Sequence, residues 1–581
     1  MSATLALSSI LFLSSPVLAC GGFFCSQVPV EQAGEQIAFT YGPEGVTAII
    51  QIAFQGSAED FAWVVPVTGQ PKVALGPDAI FSELRQRTNP NFNIEWDWDN
   101  GGDCVGGMFM EASANGVAED GGSAKEVVIL DKQVVGPFIA VTLDATEAGA
   151  DLLLQWLDDN DFDQPEESLP IIDHYLEQEF NFIAVKLKES ATVGDLQPLM
   201  LTMPDAVEPC IPLVLTRIAA APDMPVTAWV FGEHRIVPLN WFGVDINYKK
   251  IDWLSGGGNY FEVATQAVNE AAGHAFITEY AQSTSTSNML FSEGQFDTGV
   301  LATITDPDTF LQEMLMQGFP RNAQMQSLIQ VHIPKPAEEN LPEGCKSDQE
   351  FYTWNLSECL KSMPEDWTFD PATFASDLEE KVVGPLKDAQ TLLDRVSNDK
   401  GESYLTRLFS TVSPDEMTRD PIFGFNRDLG DVSPWHSVQG IATCNEENSW
   451  VMDSYTLTHE GESWTVEGPF EDIWMLDGSE FVDGFPEESA SGEIVIFAEE
   501  GEPTVIALSE VAQREQTFEM SDPTFLAWDG EPSETSAPAT TPVSVEDEDE
   551  GGCSSSGDAN PLALMVALMM AFIAIRPRRE N

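Results

Sequence analysis

A cysteine and a histidine come closest to a catalytic pair in this chain. Cys210 and His234 would supply a thiolate nucleophile and its general base, since an imidazole accepts a thiol proton. A disulfide or an inert buried thiol is the alternative for Cys210. The zinc-protease spacing H-E-x-x-H is missing, because His459-Glu460 lacks the second histidine one turn later. The serine-hydrolase sequence G-x-S-x-G is missing too. With no catalytic motif in the sequence, we expect a protein that is not an enzyme.

Closely spaced aspartates offer oxygen ligands for a metal ion. Asp97, Asp99 and Asp103 lie in one short stretch, and calcium prefers about six to eight oxygen ligands. Gly101 stands where an EF-hand loop places its third side-chain ligand, and the closing glutamate is missing. We therefore expect either a solvated loop without a cofactor or a weak calcium site.

Arg407 lies upstream of an acidic motif that contains Asp415, Glu416 and Asp420. In so acidic a chain, a semi-buried arginine that bridges carboxylates is a common structural device. We expect this structural role for Arg407, with ligand binding as the alternative.

Four tryptophans lie in apolar stretches, namely Trp63, Trp229, Trp241 and Trp253. Large aromatic side chains in such stretches usually pack in the core. We expect core packing for all four, and the alternative is stacking on a glycan.

The chain has eight cysteines, which are Cys20, Cys25, Cys104, Cys210, Cys345, Cys359, Cys444 and Cys553. Cysteines outside the cytoplasm tend to pair. Sequence proximity favours Cys20 with Cys25, and Cys345 with Cys359. The second pair would close a loop of about 15 residues and contribute about 3 kcal/mol. Zinc is not supported, because no C-x2-C pair occurs.

Strands and amphipathic helices must position these residues. Alternating polarity predicts strands over 35–41, 46–54, 61–67, 126–143 (two strands), 182–187, 211–219 and 225–231. The first two strands, and the last two, are predicted to form hairpins. Helical spacing predicts helices over 78–87, 147–157, 171–180, 261–281 and within 371–396. Short strands are expected within 449–507. The expected fold class is α+β, strand-rich, with several amphipathic helices and a C-terminal β-rich segment.

The charge balance excludes one class of partner. The chain has 26 Lys and Arg against 96 Asp and Glu, a formal net charge of −70. Nucleic acid is excluded as a partner, because phosphate binding needs clustered basic side chains. A solvated acidic surface accounts for the excess charge.

Both ends of the chain predict export. An apolar leader ends in Val17-Leu18-Ala19, which favours signal-peptide cleavage after Ala19. Lipidation of Cys20 is the alternative for this end. The apolar run 561–575 is roughly 22 Å long as a helix, short of the roughly 30 Å of a bilayer core. The three arginines within 576–579 that follow favour a cytoplasmic stub.

The C-terminal segment resembles a known sorting signal. Gly551-Gly552-Cys553, the apolar run and the arginine cluster together resemble the sorting tags of myxobacterial surface proteins (MYXO-CTERM-like). This resemblance implies that Cys553 is the processing site and that the tail is removed. An ordinary C-terminal anchor is the alternative, and both alternatives predict a protein tethered at the cell surface.

Several segments together resemble one bacterial family, the domain-of-unknown-function family 2330. They are 20–25 (CGGFFC), 61–67 (FAWVVPV), 218–224 (IAAAPDM), 404–408 (YLTRL) and 413–423 (SPDEMTRDPIF). The resemblance covers 20–445. It implies secretion and a shared fold, and it brings no known activity.

The predicted organisation is a signal peptide (1–19), an N-terminal α+β domain (20–333), a more helical continuation (334–445), a β-rich segment (446–528), a disordered acidic stalk (529–552) and a sorting tag with a short membrane helix (553–581). We expect an exported, membrane-tethered surface protein, a non-enzymatic binding or envelope module with an envelope or extracellular partner. The alternatives are an envelope hydrolase with an unrecognised site and a calcium-stabilised adhesin.

Overall fold

The computed structural model describes most of the chain between residue 34 and residue 526. The described residues are 22–23, 34–42, 45–51, 62–97, 128–160, 162, 168–188, 197–204, 206, 209–218, 220–335, 341, 345–346, 359, 368–445, 451–459, 461–470, 489–522 and 525–526. They all belong to one compact unit, Met1–Pro532. A second unit, Ser533–Asn581, lies outside the described residues.

The largest sheet has ten strands in the described part of the chain. In spatial order they are β21 (Thr504–Ile506), β20 (Ser491–Ile496), β13 (Phe242–Ile246), β14 (Ala275–Ser285), β15 (Glu402–Val412), β11 (Met224–Gly232), β2 (Glu35–Gly42), β3 (Gly45–Ile50), β10 (Leu199–Met203) and β5 (Lys72–Leu75). The pairs β2–β11 and β13–β14 are parallel, and the other neighbours are antiparallel. The predicted hairpin of β2 and β3 is confirmed. Its turn needs a glycine, because Gly45 has φ of +94° and a Cβ there would lie 2.2 Å from the Met203 carbonyl oxygen.

A second sheet packs on the middle of the first. In spatial order its strands are β1 (Gly22–Phe23), β4 (Ala62–Val67), β9 (Asn181–Leu187), β8 (Phe138–Asp144) and β7 (Val128–Val135). Apolar side chains that alternate along β2, β4 and β9 meet between the two sheets, Phe39, Trp63 and Ile183 among them. The predicted strands over 61–67, 126–143 and 182–187 are confirmed.

Helices cover the outer faces of these two sheets. They are α1 (Ala79–Thr88), α2 (Ala150–Asp158), α3 (Ser168–Glu177), α4 (Leu213–Thr216), α5 (Tyr260–Glu270), α6 (Thr298–Leu301), α7 (Pro307–Met316), α8 (Ala323–His332), α9 (Pro371–Leu378), α10 (Gly384–Arg395) and α11 (Val511–Ser521). Two 3-10 turns (Tyr248–Lys250 and Leu508–Glu510) occur, and a π-helical turn (Glu379–Val383) joins α9 to α10. Helices α2 and α3 bury their apolar stripes on the second sheet, whereas α1 and α6 to α10 cover the first sheet.

Two sequence signals explain the helical layer on the first sheet. Asp306 and Asp370 each precede a proline, and their side chains accept hydrogen bonds from the first-turn backbone N–H groups of α7 and α9. Cys345 and Cys359 form a disulfide with a Cα–Cα distance of 5.7 Å, and both are buried in the core of this layer. The predicted pairing of these cysteines is confirmed.

Two small sheets complete the fold. One pairs β12 (Arg235–Pro238) with β16 (Phe423–Asn426). The other has, in spatial order, β19 (Glu462–Phe470), β18 (Met452–His459), β17 (Trp435–Cys444) and β6 (Asn91–Trp96). The inner face of this four-stranded sheet packs with α5, α11, β13 and β20 around one apolar cluster. The predicted α+β class is confirmed.

Two predicted elements are wrong. Residues 211–219 form no hairpin with 225–231, because 213–216 is helical and β11 pairs with β2 and β15 instead. The predicted helix over 261–281 ends at Glu270. Ala272 and Gly273 have positive φ and break it, and the alternating residues that follow form β14.

The predicted segments interleave in space. Strand β20, from the predicted β-rich segment, pairs with β13 of the predicted N-terminal domain. The domain boundaries stay predictions. Among the described residues, no helix combines the length and apolar character that a membrane span requires. The predicted stalk and the predicted span at 561–575 lie outside the described residues.

Candidate functional site

The structure separates the predicted catalytic pair. Cys210 forms a β-bridge with Ile422, and the Leu239 N–H donates to the Ile422 carbonyl. His234 is exposed and lies five residues before Leu239 along extended chain, roughly 16 Å at about 3.3 Å per residue. The pair proposed from sequence is therefore too far apart for proton transfer.

The thiol of Cys210 is also in the wrong environment for a nucleophile. Its sulfur is free and lies 4.0 Å from an Asp420 carboxylate oxygen. Burial, Asp420 and Glu35 raise the pKa of Cys210 well above its usual value. A nucleophilic cysteine needs the opposite, a lowered pKa in an electropositive setting. This environment favours the protonated thiol.

Asp420 joins three parts of the fold beneath this thiol. The Tyr175 hydroxyl lies 2.9 and 3.1 Å from its two carboxylate oxygens, and the Val214 N–H donates at 2.9 Å. Burial raises the pKa of Asp420 to about 7, against the lowering effect of these hydrogen bonds. The prediction that Asp420 is a partner of Arg407 is wrong.

Glu35 faces a small apolar cavity between the two large sheets. The cavity has a volume of about 50 Å³ and its walls include Phe39, Ile50, Trp63 and Val67. Within the described structure, Oε2 of Glu35 has no hydrogen-bond partner. Burial raises the pKa of Glu35 to about 8, with Asp420 adding to the shift. A cavity of this size holds only a few water molecules, whereas ligand pockets measure about 300–1,000 Å³. It is therefore not a ligand site.

Arg407 pairs with a carboxylate that sequence analysis did not identify. Its Nε lies 2.5 Å from Glu279 Oε2, and both side chains are buried. The guanidinium stacks over Trp229 at 5.3 Å and donates to the Asn89 side chain. Tyr260 donates to the second oxygen of Glu279 at 2.5 Å. Arg407 thus ties β14 and β15 to α1, and the predicted partners Asp415, Glu416 and Asp420 are not its partners.

The structure does not test the predicted calcium ligands Asp97, Asp99 and Asp103. Asp97 directly follows β6, and its backbone N–H donates to the Gly440 carbonyl at 2.8 Å. Asp99 and Asp103 lie outside the described residues. In the described part, no group of three or more His, Cys, Asp or Glu side chains is arranged to hold a metal ion.

The predicted disulfide partners Cys20 and Cys25, and the processing residues Ala19 and Cys553, also lie outside the described residues. Cys444 is disulfide-bonded.

The four tryptophans singled out from sequence are all buried, with at most 2 % of each exposed, as expected for core residues. Among the tryptophans that the structure describes, the one that is mostly exposed is a different residue. Trp435 begins β17 and is 72 % exposed. The sequence held a signal for it, because residues 435–443 alternate between inward and outward positions. Sequence analysis did not use that alternation.

Trp435 belongs to the open outer face of the four-stranded sheet. We define this open face by its outward side chains, which are Asn91, Asn93, Glu95, Trp435, Ser437, Gln439, Ile441, Thr443, Ser454, Thr456, Thr458, Ser463, Thr465 and Glu467. The strand registers place them in rows across the sheet. One row joins Glu95, Gln439, Thr458 and Ser463.

Hydrogen bonds hold the side chains of the open face in place. Thr456 bonds Thr465 at 2.8 Å, and Thr458 bonds Ser463 at the same distance. Gln439 donates to Glu95 at 2.5 Å. The face is therefore an ordered surface made mostly of neutral hydroxyl and amide groups, with Glu95 and Glu467 on its two edge strands.

One histidine beneath the open face, His436, carries no positive charge near pH 7. His436 points inward, stacks on Phe92 and lies 3.1 Å from the Tyr248 hydroxyl. Burial and His459 lower the pKa of His436 to about 4. The imidazole is neutral near pH 7 and acts as a packing group.

Fold and site together define an α+β protein with a solvent-facing sheet and a half-buried free thiol. Residues 17–310 match the family described as an uncharacterized protein conserved in bacteria (DUF2330), and the chain belongs to that family. The match ends before the two C-terminal motifs and is shorter than the predicted range 20–445. No curated protein and no solved structure matches the chain. Of the open face, only β6 lies within the matched range.

Proposed function

We propose that this protein is an exported, membrane-tethered and non-enzymatic surface module that binds an extracellular partner through the open face. The observation that carries the proposal is Trp435, a large aromatic side chain that is 72 % exposed on an ordered and mostly neutral sheet face. Exposed aromatic residues among polar groups are typical of binding surfaces, because they offer contact area at a low entropic cost. The leader and the sorting tag predicted from sequence support a location at the cell surface.

The environment of Cys210 supports a binding function over a catalytic one. Cys210 was the best nucleophile candidate, and its environment favours the protonated thiol. The hydrolase alternative therefore has no candidate nucleophile among the residues considered from sequence. The adhesin alternative remains a proposal that calcium titration tests.

Cell binding tests the proposed function. The purified full chain is mixed with washed cells of a producing strain that lacks the gene, and the fraction that sediments with the cells is measured. Trp435→Ala should lower that fraction strongly. Met316→Ala removes another exposed apolar side chain (78 % exposed) far from the sheet in sequence, and it should bind like the wild type. Equal sedimentation of all three proteins would contradict the proposal.

Location is tested separately. Fractionation with intact-mass analysis should find the mature chain in the envelope, cleaved after Ala19. A full-length, reduced chain in the cytosol would contradict export.

A further inference from the structure

We propose that the ligand of the open face is a neutral polysaccharide; this inference rests on the proposed function and names its partner. Sugar rings have one or two C–H faces and a rim of hydroxyl groups. They therefore need an aromatic surface beside groups that both donate and accept hydrogen bonds. The open face has this combination.

The aromatic surface and an amide lie side by side. Trp435 pairs in register with Asn91 of the neighbouring parallel strand. Both residues are exposed on the same side of the sheet. A sugar ring stacked on the indole would place its hydroxyl rim within reach of the Asn91 amide, which donates through nitrogen and accepts through oxygen.

The rest of the open face extends this surface over several sugar rings. Adjacent strands lie about 4.8 Å apart, and outward residues on one strand are about 6.7 Å apart. Ser437, Gln439 and Thr443 continue along β17 from Trp435. Threonine and serine side chains on β18 and β19 are already oriented by their mutual hydrogen bonds. Such preorganisation reduces the entropy lost when a ligand binds.

Charge favours a neutral ligand. The only ionisable side chains of the open face are Glu95 and Glu467, one on each edge strand. The chain as a whole has a net charge of −70, so an anionic polymer is repelled. A cationic ligand would be attracted to the acidic surface everywhere and would not need this neutral face.

The composition of the face disfavours a protein partner or a second copy. Stable protein interfaces have an apolar core of several large side chains. The open face has only two, Trp435 and Ile441, and they lie six positions apart on β17. A polar, flat surface with one exposed ring fits a hydroxyl-rich chain better.

Affinity gel electrophoresis tests the ligand class. The full chain is run in native gels that contain either a neutral polysaccharide (hydroxyethyl cellulose, galactomannan or soluble starch) or anionic alginate. At least one neutral polymer should retard the wild type, and alginate should not. Trp435→Ala should weaken the retardation about tenfold, whereas Trp435→Phe retains part of it. Thr456→Val removes one hydroxyl at constant shape and should have a smaller effect. Met316→Ala is the matched control and should migrate like the wild type.

The outcomes separate this inference from the proposed function. Equal retardation by alginate, or neutral-polymer retardation that does not depend on Trp435, overturns the inference. If no neutral polymer retards the chain while Trp435→Ala still lowers cell binding, the polysaccharide inference fails and the proposed function stands. If cell binding and retardation are both independent of Trp435, both proposals fail. Circular dichroism melting of each variant checks that the fold is intact.

Discussion

The attachment of the last described helix offers a quantitative test. Arg419 is completely buried, and it donates two hydrogen bonds to Glu515 of α11 at 2.5 and 2.9 Å. His274 Nδ1 lies 3.0 Å from the same carboxylate. Arg419 also donates to the Asn240 carbonyl at 3.1 Å. This ion pair therefore joins the body to α11, the helix that precedes the predicted stalk and anchor.

The pKa of Glu515 gives the magnitude. Although burial opposes it, hydrogen bonding and charge from His274 and Arg419 lower this pKa from 4.5 to about 2. A shift of that size corresponds to roughly 3 kcal/mol at neutral pH. Breaking a buried pair by removing one partner typically costs about 3–5 kcal/mol, since the remaining charge has no counterion. We expect Arg419→Met to lower the free energy of unfolding by about 3 kcal/mol.

A double-mutant cycle provides the assay. Urea unfolding of the full chain, followed by circular dichroism, is compared for wild type, Arg419→Met, Glu515→Met and the double variant. The double variant should be more stable than the sum of the single effects implies, because neither charge of this pair is left buried without the other. Since the folded-state pKa is lowered, this stabilisation is present above about pH 4.5 and is lost as the pH falls toward 2. An Arg419→Met loss below about 1 kcal/mol, or strictly additive effects, would refute the reasoning.

Three further results are expected. Glu35 has a raised folded-state pKa of about 8, so its contribution to stability is present below about pH 4.5 and is lost as the pH rises through 8. Between pH 5 and pH 9, the free energy of unfolding measured in urea should therefore fall less for Glu35→Gln than for the wild type. If the two proteins show the same pH dependence, the argument that burial raises this pKa is contradicted. Replacing Cys345 and Cys359 together by serine should cost about 3 kcal/mol by the same assay, and an unchanged urea midpoint would rule out a contribution from loop closure. If the predicted calcium site exists, calcium should raise the melting temperature and a chelator should lower it, and no shift in either direction would remove the adhesin alternative.

Local patterns were sufficient for most of the first half of the fold. The hairpin of β2 and β3, helix α1 and the strands β7 to β9 all follow from alternation or helical spacing within a few residues. The prediction over 261–281 failed because its apolar residues fit both periods. Only the positive φ at Ala272 and Gly273 divides that stretch into a helix and a strand.

The site was less accessible from sequence than the fold. The predicted partners of Arg407 were the acidic residues that follow it in the chain. Its partner Glu279 is 128 positions away in the chain and becomes a neighbour only because β14 and β15 pair. Which tryptophan is exposed also depends on segments that are distant in the chain. Trp435 and the four buried tryptophans differ in whether another layer covers their side of a sheet.

The sequence by itself determined the acidic surface, the strand and helix periods and the Cys345–Cys359 disulfide, because charge, periodicity and short loop closure are local properties. Tertiary structure alone decided which arginine meets which carboxylate, that Cys210 lies between carboxyls, and that one tryptophan faces solvent. These outcomes depend on strand pairings between distant segments, and free energies of burial and ion pairing arise only once those segments pack together.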